Sequence, residues 1–204
     1  MKKSIALILI LFGFLLPGLA AQEPNPDLPE DDFTRITYDT GDSVFSFGIG
    51  LLMPLFNSDN HGNFIPYGKQ LGYGGMGYIE WNAYLTSRIR LGLQISGMFA
   101  QTINKNTLTM VPITAKFSYL LDFYPLTVPL TLGVGFSFNK LDRLFEFPPI
   151  LKPGVGCYWS LRGNWELGGQ VVYWWIPEIH FRDLADQTRF GNFLEISLGA
   201  VYHL

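Results

Sequence analysis

From Val44 to the last residue, apolar and polar side chains alternate with a period of two, the spacing that puts successive residues on opposite faces of a β-strand. Val44–Phe56 sets Phe45, Phe47, Ile49, Leu51 and Met53 against Ser46, Gly48 and Gly50. Leu71–Leu85 sets Ile79, Trp81, Ala83 and Leu85 against Tyr78, Glu80, Asn82 and Tyr84, and Ile89–Gln101 repeats the design around Arg90, Gln94 and Ser96. Further runs lie at Val111–Tyr119, Val128–Phe138, Leu151–Leu161 and Trp165–Ile176, and the eighth ends the chain with Ile196, Leu198, Ala200, Tyr202 and Leu204 on one face. Counted between the connecting segments, each run spans about 11 to 15 residues, longer than the usual globular strand of about 5 or 6. That length suits a tilted bilayer crossing of about 9 to 11 residues plus its rims.

The connections sharpen this picture. Segments 57–70, 86–88, 102–108, 122–126, 139–150, 162–164 and 177–191 alternate long and short. An outer-membrane barrel has this rhythm, with tight periplasmic turns and long outer loops. Within lipid every backbone N–H and C=O must pair internally, so the sheet must close and the last strand must meet the first. The pattern predicts an all-β, eight-stranded antiparallel up-and-down transmembrane β-barrel over 44–204. The turn at 86–88 predicts Leu85 opposite Ile89, Tyr84 beside Arg90 and Glu80 beside Gln94.

Composition fits a lipid-facing wall: 48% of residues are hydrophobic, 16% aromatic and 15% charged, against roughly 25% charged in an average soluble domain. The net charge of −3 gives no basic footprint for nucleic acid. Residues 1–21 read as a signal peptide: Lys2 and Lys3, an apolar run from Ile5 to Leu16, then Pro17-Gly18 and small residues. Residues 22–43, acidic and proline-rich at "QEPNPDLPEDD", read as a disordered periplasmic linker. Cys157 is the single cysteine, so no intrachain disulfide forms.

The ending Ser197-x-Gly199-x-x-Tyr202-x-Leu204 resembles the C-terminal assembly signal of bacterial outer-membrane β-barrels, with Leu204 where Phe or Trp is usual. The whole plan over Val44–Leu204 resembles the small eight-stranded barrels of the OmpW, OmpX and OmpA-domain group. OmpW-like is preferred because the lumen side is not crowded with charge. The resemblance implies an outer-membrane location, with outer-membrane lipid and the barrel-assembly machinery as partners. It also implies a narrow conduit for small, hydrophobic solutes. The alternative is a structural or adhesin barrel acting through loops 57–70, 139–150 and 177–191.

With apolar residues facing lipid, the charged lumen candidates are Glu80, Arg90, Lys116, Lys152, Glu166 and Glu195, with His203 at the periplasmic end. Glu80 and Lys116 read either as a mid-lumen gate or as part of a salt-bridged polar core filling an interior barely wide enough for its side chains. Inward glycines such as Gly48, Gly156, Gly168 and Gly199 either leave space for a conduit or make room for bulky neighbours such as Tyr78 and Tyr158. Trp81, Phe117, Tyr119, Trp159, Tyr173, Trp175 and Tyr202 fall on the outward face, as interfacial girdles do. Catalysis has little support. His61, His180 and His203 lack metal-ligand spacing, and Glu178, His180 and Asp183 read as a solvated loop rather than a general-base cluster. No enzyme activity, cofactor or metal is expected.

Overall fold

The computed structural model describes residues 39–59, 63–66, 71–102, 106–141, 144–161, 163–178 and 188–204. The expected signal peptide, and the linker up to residue 38, lie outside the described residues. Among the described residues ten strands are present: β1 (Ser43–Asp59), β2 (Phe64–Pro66), β3 (Gly74–Thr86), β4 (Ile89–Gln101), β5 (Thr107–Phe123), β6 (Leu126–Leu141), β7 (Leu144–Glu146), β8 (Pro149–Ser160), β9 (Trp165–Glu178) and β10 (Arg189–His203). β2 and β7 are three-residue pieces that fold back on β1 and β6. The other eight pair antiparallel in the order β10-β9-β8-β6-β5-β4-β3-β1, and β1 pairs with β10 to close the ring. The fold is a closed eight-stranded up-and-down barrel.

Alternation decides which face is which. Ile49, Leu51, Trp81, Leu93, Val134 and Leu198 stand exposed on the outer wall, while neighbours such as Leu52, Glu80, Asn82, Gln94 and Ser197 are buried inside. In water such a surface would be an aggregation hazard; in hydrocarbon it is the matched solvent. A 13-residue stave such as β4 tilted by about 40° rises about 30 Å, the thickness of a bilayer core.

Strand ends depart from the expected limits. β1 continues to Asp59, pairing Asn57, Ser58 and Asp59 with Gly191, Phe190 and Arg189. β7 lies within the expected 139–150 loop. Polar side chains look loop-like in sequence, but the ladder satisfies their backbone groups beyond the lipid as well as within it. At the other end Ser43 already belongs to β1, and Asp39–Asp42 form a turn whose Gly41 N–H donates to Tyr84 C=O at 2.9 Å. Tyr84 faces Arg90 and Glu80 faces Gln94 as expected, but Ile89 faces Thr86 rather than Leu85. A bulge at Leu85 accounts for this: it absorbs one residue and tightens the twist at the turn.

Candidate functional site in the lumen

The inward side chains form three layers. At the end of the barrel that carries the C-terminus, Val44, Tyr84, Leu120, Tyr158 and Val201 pack into an apolar floor. Beneath it Glu166 Oε1 lies 3.3 Å from His203 Nε2 and accepts from Ser160 Oγ at 3.4 Å. Asn164 holds the end of β10 through a 3.0 Å bond from Nδ2 to the His203 carbonyl.

The middle layer is ionic. Lys116 Nζ donates to Glu80 Oε2 at 2.6 Å, and Glu80 also accepts from Asn82 at 2.7 Å and Gln94 at 3.0 Å. Gln94 Oε1 in turn accepts from Lys152 Nζ at 2.7 Å. Lys152 lies 3.6 Å from Glu195 Oε2 and 4.3 Å from the centre of the Trp174 ring. Glu195, with no exposed surface, accepts from Gln170, Trp174 Nε1 and Ser197 at 3.0, 2.7 and 2.9 Å. One connected network therefore crosses the lumen through β5, β3, β4, β8, β10 and β9. Charges this deeply buried are tolerated because each meets an opposite charge, and Glu80, Lys152 and Glu195 meet several further donors or acceptors.

Of the six charged lumen candidates, Glu80, Lys116, Lys152 and Glu195 meet in this network. Glu166 sits with His203 at the rim that carries the C-terminus. Arg90 joins neither: its guanidinium carbon lies 5.6 Å from the centre of the Tyr84 ring. Glu80 and Lys116 are thus members of a packed polar core. The glycines resolve in the same direction. A Cβ on Gly48 would come within 2.5 Å of Tyr78 Cε1, and one on Gly199 would overlap Tyr78 Oη. Gly156 and Gly168 give the same room to Tyr158, at 2.7 and 2.8 Å. The hydroxyls of Tyr78 and Tyr158 then approach each other across the lumen at 3.4 Å.

The outer layer was not anticipated. Leu52, Met76, Met98, Met110, Ile150, Trp174, Ile176 and Phe193 belong to one buried apolar cluster above the ionic layer. On β3, β4, β5 and β10 the inward positions change from polar to apolar toward the outer end: Glu80 gives way to Met76, Ser96 to Met98, Lys116 to Met110, and Glu195 to Phe193. The signal in sequence is the loss of alternation, since both faces are apolar there.

On the outer wall Trp81, Phe117, Trp159 and Trp175 are exposed, while Tyr119, Tyr173 and Tyr202 are partly exposed. Tyr173 is hydrogen-bonded to Asn192. Trp165, absent from the expected set, joins Phe47 and Tyr202 in an aromatic patch at 6.3 and 4.8 Å between centroids, at the end that carries the C-terminus. In the terminal strand Gly199 faces inward, Tyr202 lies in that outer patch and Leu204 is exposed. His61, His180 and Asp183 lie outside the described residues. Among the described residues no group of His, Cys, Asp and Glu has the geometry to hold a metal ion.

A protein-family model matches residues 23–202. The chain belongs to that family. Among sequence relatives, an uncharacterized protein of Treponema pallidum (strain Nichols) is 29% identical over 136 residues, covering 67% of this chain and 61% of the relative. A second T. pallidum protein is 26% identical over 99 residues, covering 46% of this chain and 34% of its own length. The chain thus spans less than two thirds of either protein. An uncharacterized protein of Borreliella burgdorferi is 24% identical with 100% of this chain and 99% of the relative covered. Among solved structures, Neisserial surface protein A superposes with a TM-score of 0.56 at 14% identity, covering 80% of this chain and 97% of that one. The outer membrane protein OprG of Pseudomonas aeruginosa does so with a TM-score of 0.53 at 11% identity, covering 82% and 97%. The fold is that of the small eight-stranded outer-membrane barrels.

Proposed function

We propose that this barrel resides in an outer membrane and takes small apolar molecules from the outer side into the upper half of its lumen, as an OmpW-like conduit. The apolar cluster of Leu52, Met76, Met98, Met110, Ile150 and Phe193 above the ionic layer carries this reading. Methionine is unbranched and polarizable, so three of them in one cluster can repack around guests of different shape. The ionic layer below acts as a stop: solute passing straight through must separate Lys116 from Glu80 and Lys152 from Glu195. Export through a signal peptide at 1–21, a periplasmic lead-in over 22–43 and insertion by the barrel-assembly machinery reading Gly199, Tyr202 and Leu204 belong to the same reading.

The test is binding of an apolar fluorophore, N-phenyl-1-naphthylamine, to the refolded barrel in detergent, with planar-bilayer conductance measured in parallel. Saturable binding weakened at least tenfold by Met98→Asp supports uptake into the outer half. No saturable binding and no conductance from well-folded protein would sink it. Binding of surface partners that disappears when the long outer loops are trimmed would favour the adhesin alternative.

A further inference from the structure

We propose that the outer ends of β6, β7 and β8 form a binding surface for anionic phospholipid, with acyl chains against a phenylalanine crest and the phosphate at Lys140. The inference rests on the barrel's residence in a membrane and is independent of solute uptake into the lumen. The crest consists of Phe136 and Phe138 on β6, Phe145 on β7, and Phe147 just after it. Phe147 stacks on Phe136 at 5.0 Å between ring centroids and meets Phe138 at 4.5 Å, and Phe138 meets Phe145 at 6.2 Å. All four rings are exposed, and they follow Leu132 and Val134 on the same outer face. The crest thus continues the lipid-facing wall upward without a break.

Height and chemistry name the occupant. From Phe145 to Leu161 every second residue is apolar and lies on the outer face. At about 3.3 Å per residue and a tilt of about 40°, this stretch rises about 40 Å, against an apolar band of about 25 Å in outer-membrane barrels. Two staves away, on β10, the outward apolar run from Leu194 to Leu204 rises only about 25 Å. It is interrupted at Asn192, which pairs with Trp175 on the outer wall. The apolar wall is therefore tallest at the crest. Belts at the water boundary use Trp and Tyr because an indole N–H or phenol O–H can stay wet. Phenylalanine has no such handle, so four of them need hydrocarbon around them. A charge stands one step higher: Lys140, the next outward residue after Phe138, is exposed and pairs across the ladder with Phe145. A cation above an apolar face matches a lipid whose chains cover the rings while its phosphate meets the ammonium.

The experiment uses the full chain with Cys157→Ser, labelled with bimane at Phe145→Cys or, as a control for insertion, at Val134→Cys. Each is refolded into phosphatidylcholine vesicles containing a minor share of either phosphatidylglycerol or phosphatidylcholine with brominated acyl chains, and fluorescence quenching is read. Both labels should be quenched. At position 145, brominated phosphatidylglycerol should match the effect of about five times as much brominated phosphatidylcholine, the bias of one lysine at a membrane surface. Lys140→Gln, at an exposed position outside the lumen core, should abolish that preference. Quenching at 134 without quenching at 145 would overturn the proposal, placing the crest above the lipid or under another protein. Equal quenching by the two lipids, a result that needs no Lys140 variant, would also overturn it, as would a preference that Lys140→Gln leaves intact. An unquenched label at 134 would refute membrane residence itself, and the crest with it.

Discussion

Replacing Lys116 by methionine tests whether the middle of this lumen is a packed core or a water-filled ring. Among the described residues Lys116 gives Glu80 its shortest hydrogen bond, 2.6 Å, and its only ion-paired cation. Without it, a carboxylate 5% exposed keeps, among the described residues, the hydrogen bonds of the Asn82 and Gln94 amides but no ion pair. Breaking one side of a buried pair costs about 3–5 kcal/mol, because the remaining charge stays desolvated, so Lys116→Met should lower the folding equilibrium constant by a factor of about 10² to 10³·⁵. Adding Glu80→Gln removes the stranded charge and retains an acceptor for the amides. The double variant should therefore return to within about 1 kcal/mol of the parent. The assay is urea unfolding of the full chain in lipid vesicles, followed by tryptophan fluorescence and by the mobility shift between boiled and unboiled samples. A loss below about 1 kcal/mol for Lys116→Met, in the range of solvent-exposed pairs, would refute the packed core. A double variant worse than the sum of its parts would refute the pairing.

Three other outcomes follow from the same geometry. Gly199→Ala should prevent the barrel from reaching its compact gel form, because the new methyl overlaps Tyr78 Oη; Tyr78→Phe in the same chain should restore part of it. Ile49→Lys, at a position 75% exposed on the outer wall, should cost about 2–4 kcal/mol in lipid vesicles, with an undiminished fold in detergent as the control. Removing Tyr202–Leu204 deletes the Leu204 N–H bond to the Ser43 carbonyl and the partner of Glu166; secreted chain should accumulate without membrane insertion, and normal insertion would contradict the role given to this end.

Much of the fold was legible because one physical rule, period-two alternation, acts on every stave. It placed Phe45 and Leu198 outside and Glu80 and Lys152 inside. The interior partnerships were far less legible. Lys152 on β8 reaches Gln94 on β4 and Glu195 on β10, strands that do not pair with β8, and only strand tilt and stagger decide who meets across a barrel. The apolar outer layer escaped because Met76, Met98 and Phe193 carry no polar contrast with their lipid-facing neighbours. The bulge at Leu85 escaped because nothing in "YLTSRIR" distinguishes a bulged turn from an even one.

The seat of Tyr78 bears on how the ring is completed. Gly48 and Gly199 face each other where the first and last staves join, and the Tyr78 ring, from the third strand, lies over both. If the final strand slid by one pleat in either direction, Ser197 or Val201 would stand under that ring where only a hydrogen fits. The tyrosine is thus a key cut for one alignment of the joint, and it checks from inside a closure that backbone hydrogen bonds alone would accept in several positions.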